Sequence, residues 1–133
     1  MSLPGALQPE GWLRPSGYSN GIQTQGRQVF IAGQVGWNPH SGKFESTALV
    51  DQVAQALRNV LAVLAQASGR PEHIARMTWY LTDRADYLGH LKEIGVAYRE
   101  VMGKHFPAMT AVEVTALIES QAKVEIEATA VIP

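Results

Sequence analysis

The longest regular pattern of apolar and polar positions runs from Thr47 to Ala67. Val50, Val53, Leu57, Val60, Leu61 and Leu64 recur at i, i+3, i+7, i+10, i+11 and i+14, which is one apolar stripe of an amphipathic helix. Ser46 or Thr47 can cap its start, and Gly69 followed by Pro71 ends it. A second stripe, Leu88, Leu91, Ile94, Tyr98, Val101 and Met102, predicts a helix from Asp86 to Met102 that stops at Gly103. Gly89 and Gly95 weaken it, because glycine is a poor helix former.

Between and around these helices the period changes to two. Ser19 to Gln25 reads as a short strand, Gly26-Arg27 as a turn, and Gln28 to Val35 as a β-rich, mostly buried strand pairing with its predecessor in a hairpin. Gly36 to Gly42 is dense in turn formers and reads as a loop. Ile74 to Leu81 alternates Met77, Trp79 and Leu81 on one face with Arg76, Thr78 and Tyr80 on the other. Thr110 to Leu117 and Lys123 to Val131 complete the set. Val112, Val114 and Ala116 line one face of the former, and Val124, Ile126, Ala128 and Ala130 one face of the latter.

The order β-β-α-β-α-β-β, with one apolar stripe per helix, predicts an α+β fold: a two-layer sandwich with two helices on one face of a mixed sheet. The other sheet face is then left uncovered, carrying Tyr80, Glu113, Glu125, Glu127 and several threonines. Such a face suits subunit contacts or a ligand cleft. Residues 1–11, with two prolines and two glycines, read as a flexible N-terminal arm, and residues 12–133 as a single domain.

Composition narrows the class. A length of 133 residues suits one domain. Eleven Lys and Arg against twelve Asp and Glu leave a net charge of −1, which argues against a general nucleic-acid binder. The absence of cysteine excludes disulfides, a thiol nucleophile and Cys-based metal sites. No apolar run is long enough to span a membrane and no signal peptide is evident, so a cytoplasmic protein is expected. Charged residues at 17% fall below the usual ~25%, so some surface is expected to be covered in an oligomer.

His40, His73, His90 and His105 are neither paired at helical spacing nor placed near a carboxylate in a metal-ligand pattern, and read as solvated histidines. No phosphate-binding glycine loop or nucleophile-elbow motif occurs, so neither a metal nor a cofactor is expected. Asp83 and Asp86 suit a loop bend and a helix N-cap. More pointed are Glu113, Glu125 and Glu127, which sit mid-strand where glutamate is disfavoured. Glu125 and Glu127 share a face, either a solvated or inter-subunit one or one that holds a carboxylate in a cleft as general base or water anchor. Gly33 inside a strand pattern signals a bulge or a close backbone approach, and Tyr18 in Gly17-Tyr18-Ser19 can stack on or bond to a ligand.

In this order, Gly17-Tyr18-Ser19, Val29 to Gln34, Gln55 to Leu61, Tyr80 to Asp83, Pro107 to Val114 and Val124 to Ala128 resemble the RidA (YjgF, L-PSP endoribonuclease-like) superfamily, from Gly17 to Pro133. The resemblance implies a chorismate-mutase-like subunit, a barrel-like homotrimer with outward-facing helices, and small-molecule clefts between neighbours. It also implies hydrolysis of reactive enamines and imines to keto acids and ammonia. In that pattern an arginine after Pro-Ala grips the substrate carboxylate through two parallel hydrogen bonds. Met109 stands there in this chain, Ala32 replaces the serine before Gly-Gln, and Gly95 falls where an asparagine is frequent. Arg14 is a candidate substitute anion anchor.

The site implied by the resemblance therefore has Glu125 and Tyr18 as catalytic residues and Ala32, Gly33, Met109 and Thr110 around the substrate. Trp37 or Trp79 would join Met109 in making the cleft apolar. The leading expectation is hydrolysis of a C=N compound without an α-carboxylate. The alternatives are an ordinary 2-iminobutanoate/2-iminopropanoate deaminase and a non-catalytic ligand-binding or partner protein. Ribonuclease activity is disfavoured, since the only cluster near the cleft is acidic and repels phosphate.

Overall fold

The computed structural model describes residues 5–133. Two short strands, β1 (Gly5–Leu7) and β2 (Gly21–Gln23), pair antiparallel in a sheet of their own. A four-stranded sheet follows, made of β3 (Arg27–Val35), β4 (Ile74–Leu81), β5 (Ala108–Glu113) and β6 (Val124–Ile132), in the spatial order β3-β6-β4-β5. β6 runs antiparallel to both its neighbours, whereas β4 and β5 are parallel, so the sheet is mixed. The parallel pair requires a crossover, which α2 (Arg84–Gly89) and α3 (Leu91–Met102) supply. The long helix α1 (Leu49–Ala65) joins β3 to a 3₁₀ turn at Pro71–His73.

The periodic patterns find their burial. Val53, Leu57, Val60 and Leu64 of α1 are fully enclosed, as are Val124, Ile126 and Ala130 of β6. With Met77, Trp79, Ile94 and Tyr98 they form one core between the helices and one sheet face. The other face is uncovered by helix, as the two stripes imply.

Four details differ from the sequence reading. β2 pairs with β1 rather than forming a hairpin with β3, so Gly5–Leu7, within the stretch read as an arm, is a strand. The second helix is two: α2 ends at His90, beside Gly89, and α3 starts there, which leaves Leu88 and Leu91 exposed. Asp83, not Asp86, caps α2, its carboxylate accepting from the Asp86 amide at 3.1 Å. Glu113 lies opposite buried Leu81 and so belongs to the helix side of the sheet, where it accepts the Arg84 amide at 2.6 Å.

Two buried amides on α1 brace the loops. Gln52 donates to the carbonyls of Ser46 and Gln121, both at 3.1 Å, and accepts from the Lys123 amide at 2.8 Å. Asn59 donates to the carbonyls of Val35 and Trp37 at 3.1 and 3.0 Å. Both pin the chain as it leaves β3 or enters β6, the two strands that carry the candidate site.

Candidate functional site

Strand register decides which candidates can meet. The β3–β6 ladder breaks between Ile31 and Gln34, so Ala32 and Gly33 form a bulge on β3. Gly33 faces the Glu125 side chain there. A Cβ on residue 33 would lie 2.3 Å from Glu125 Oε2 and 2.9 Å from its Cδ. Glycine is thus needed at this position by close approach, and the bulge lets the Glu125 carboxylate lie on the β3 backbone.

Glu125 stands opposite Tyr80 and therefore points to the helix-free face. Glu127 shares that face and accepts from the Tyr80 hydroxyl at 3.0 Å. That hydrogen bond to Glu127 is the main reason the Tyr80 phenol is held above its ordinary range. Whereas Glu127 and Glu113 are each engaged, Glu125 is half-buried and takes no such bond among the described residues. Next to it, Phe30, Ala32, Arg76, Thr78, Glu127 and Thr129 line a groove of about 450 Å³ on the open face.

Tyr18, Met109 and Thr110 are elsewhere. Ser19 forms a parallel bridge with Ala108, and its hydroxyl donates to the Phe106 carbonyl at 2.6 Å, so Tyr18 sits outside the free edge of β5. Met109 stands opposite Met77, on the helix side, and packs half-buried against the protomer's own core. Thr110, opposite Thr78, is exposed on the open side. Trp79 is 1% exposed in the core, so it cannot line a cleft, because its indole packs among Tyr87 and Tyr98 beneath the helices. Trp37 is half-buried and tilts against Phe44. Arg14 is exposed in the loop between β1 and β2.

The candidates therefore form two groups. Ala32, Gly33 and Glu125 come together at the bulge, and Tyr18 and Met109 share the β5 edge. Met109, in register with Met77 and Ala128, is about 10 Å from Glu125 along the strands and about 10 Å across them, whereas, following the register from Ser19 through Ala108, Arg76 and Thr129, the Tyr18 end is about 13 Å along and about 14 Å across. That is further than both side chains and a small metabolite span together, and the sheet lies between Met109 and Glu125.

The buried amides Gln52 and Asn59 escaped the sequence reading. Their signal was present as two polar residues seven apart, alongside the apolar stripe of α1.

Comparison with known proteins places this arrangement. The profile of the family described as Endoribonuclease L-PSP matches residues 13–132. The chain belongs to this family. It is 30% identical over 128 residues to the human 2-iminobutanoate/2-iminopropanoate deaminase, covering 96% of this chain and 83% of that one. Among solved structures, a Rid-family protein of unknown function from Yersinia pestis, YyfB, superposes with a TM-score of 0.84 at 29% identity, over 96% of this chain and 98% of that one. TdcF of E. coli, solved with bound serine, superposes with a TM-score of 0.70 at 30% identity, over 98% and 93%. The Rid-type α+β subunit is thereby established. No helix among the described residues is long and apolar enough to cross a membrane.

Proposed function

We propose that this Rid-family chain hydrolyses a small imine or enamine that lacks an α-carboxylate, in a site completed by two copies of the chain. The observation that carries the reading is the Glu125 carboxylate laid against the Gly33 backbone, half-buried and without a donor among the described residues, beside a groove open to ligand. Such a carboxylate can hold a water and accept its proton. Water adds to the C=N carbon, its proton passing to Glu125. The proton then returns to nitrogen, leaving a carbinolamine; Glu125 next takes the hydroxyl proton and passes it to nitrogen as the C–N bond breaks, and a carbonyl compound and ammonia or an amine leave. Tyr18 and the backbone at Ala32 and Gly33 hold the substrate, with Thr110 along the β5 side; Met109, expected there from the sequence, packs on the core instead.

Met109 supports the missing carboxylate. It offers no donor, and its side chain lies on the core, so nothing at this position can grip an anion. Arg76, the cation nearest in the ladder, faces away from Met109 and lines the groove on the open side. The two-copy requirement follows from the separation of Tyr18 and Glu125. The trimeric count and a cytoplasmic setting rest on the family resemblance.

A panel of imines generated in solution, with and without an α-carboxylate, tests the proposal by following carbonyl and ammonia release. Carboxylate-free imines should turn over, with Glu125→Gln lowering the rate about 10²-fold or more. Met109→Arg should raise turnover of 2-iminopropanoate. Equal use of both classes by the unaltered protein would favour a second reading, an ordinary 2-iminobutanoate/2-iminopropanoate deaminase, which relatives named for that activity support. No turnover of any imine sinks both.

A further inference from the structure

At the opposite end of the open face, a cavity of about 520 Å³ is roofed by the β1–β2 sheet. It is lined by Ile22, Ile74, Phe106 and Val131 among apolar groups, and by His73, His105, Thr24 and Lys104 among polar ones. Val131 and Glu125 are six residues apart on β6, about 20 Å, so within one copy this cavity is separate from the Gly33–Glu125 half of the proposed site, while Ser19 in its wall adjoins Tyr18 of the other half.

Hydrogen bonds fix the tautomers of both histidines. His73 Nδ1 accepts from the Arg70 amide at 2.9 Å, so its proton is on Nε2, a free donor. His105 Nε2 lies 2.7 Å from the Ile74 carbonyl and must donate to it, so Nδ1 is its free nitrogen and an acceptor when the ring is neutral. Both histidines line the cavity, and His105 is tied to the carbonyl of the residue that follows His73. A metal is a poor occupant: His73 could ligate through Nε2 only by losing the proton that its Nδ1 bond places there. Thr24 Oγ1, in the same wall, is shielded from solvent and has no partner among the described residues, a position that a polar head group would satisfy.

We infer that this cavity is a second ligand site, for a small carboxylate with an apolar body. The apolar walls take the body. The carboxylate accepts from His73 Nε2–H and from the Lys104 ammonium at the rim. The His105 acceptor admits a hydroxyl or amine next to the carboxylate.

Phenylacetate is a suitable probe, with benzyl alcohol as its uncharged counterpart, titrated into the full-length protein while the ring-proton resonances of His73 and His105 are followed. Phenylacetate should shift both saturably and benzyl alcohol should bind at least about tenfold more weakly, the loss expected for a charge-assisted pair. Lys104→Ala, at an exposed position, and His73→Phe, which keeps a ring but has no donor, should each weaken phenylacetate by about tenfold. Glu125→Gln should bind it as the unaltered protein does. Non-saturating shifts, equal affinity for the alcohol, or shifts lost in Glu125→Gln but kept in Lys104→Ala would each overturn the assignment.

Discussion

Gly33 and Glu125 form the tightest coupling in the candidate site, and it can be broken with little cost to the fold. The atoms that a Cβ at position 33 would meet belong to the flexible end of Glu125, so Gly33→Ala displaces the carboxylate and spares the backbone. No positive φ is involved, so alanine is conformationally acceptable there. Melting should shift by no more than a few degrees, corresponding to less than about 1 kcal/mol, because losing glycine's unfolded-state freedom is itself slightly favourable. Imine turnover should nevertheless fall about as far as in Glu125→Gln. Normal activity in Gly33→Ala would show that the position of the carboxylate does not matter. The resemblance and the mid-strand placement of Glu125 made both residues legible in the sequence. Their contact was not, because it depends on a bulge whose register only the paired strand reveals. Met109 shows the same limit, since its residue type was readable but the side of the sheet it faces was not.

At the scale of elements, what was legible followed period. α1, β4 and β6 were recovered with their buried faces, because each is long enough to repeat its pattern and packs on one continuous core. β1 and β2 have three residues each and no pattern to repeat, so their pairing was hidden and β2 was assigned to β3. β5 ends at Glu113, and Val114 donates to the Leu81 carbonyl as the chain turns into a loop. That loop is held by Gln52, whose partners lie up to 71 positions away and leave no local trace. Gln52→Leu keeps the volume but leaves two carbonyls and an amide without partners, one side of an unequal exchange. The expected loss is roughly 2–4 kcal/mol in urea unfolding, with the Lys123 amide, which donates to Gln52, exchanging faster than those of β4. An unchanged midpoint would show that these groups find water or new partners without penalty.

At the scale of the molecule, one protomer leaves much unfinished. Among the described residues the outer edge of β3 is unpaired and that of β5 meets only the Ser19 bridge at Ala108; Phe30 is 74% exposed on the helix-free face, and Val112 is 40% exposed on the edge strand. Open edges and an apolar group on an uncovered face invite a further copy. The low charge content points the same way. The proposal that Tyr18 of one copy meets Glu125 of the next makes assembly part of the chemistry. In solution, light scattering should give three times the 14.5 kDa of one chain.

The most direct measurement is complementation between two inactive forms. Tyr18→Ala and Glu125→Gln would be purified separately, unfolded together and refolded as a mixture, with hybrid assemblies verified by native mass spectrometry. If each site draws its two groups from neighbouring copies, about a quarter of the sites in a random mixture carry both intact residues, and imine turnover should return to that fraction. Hybrids that form and stay as inactive as either parent would contradict the account.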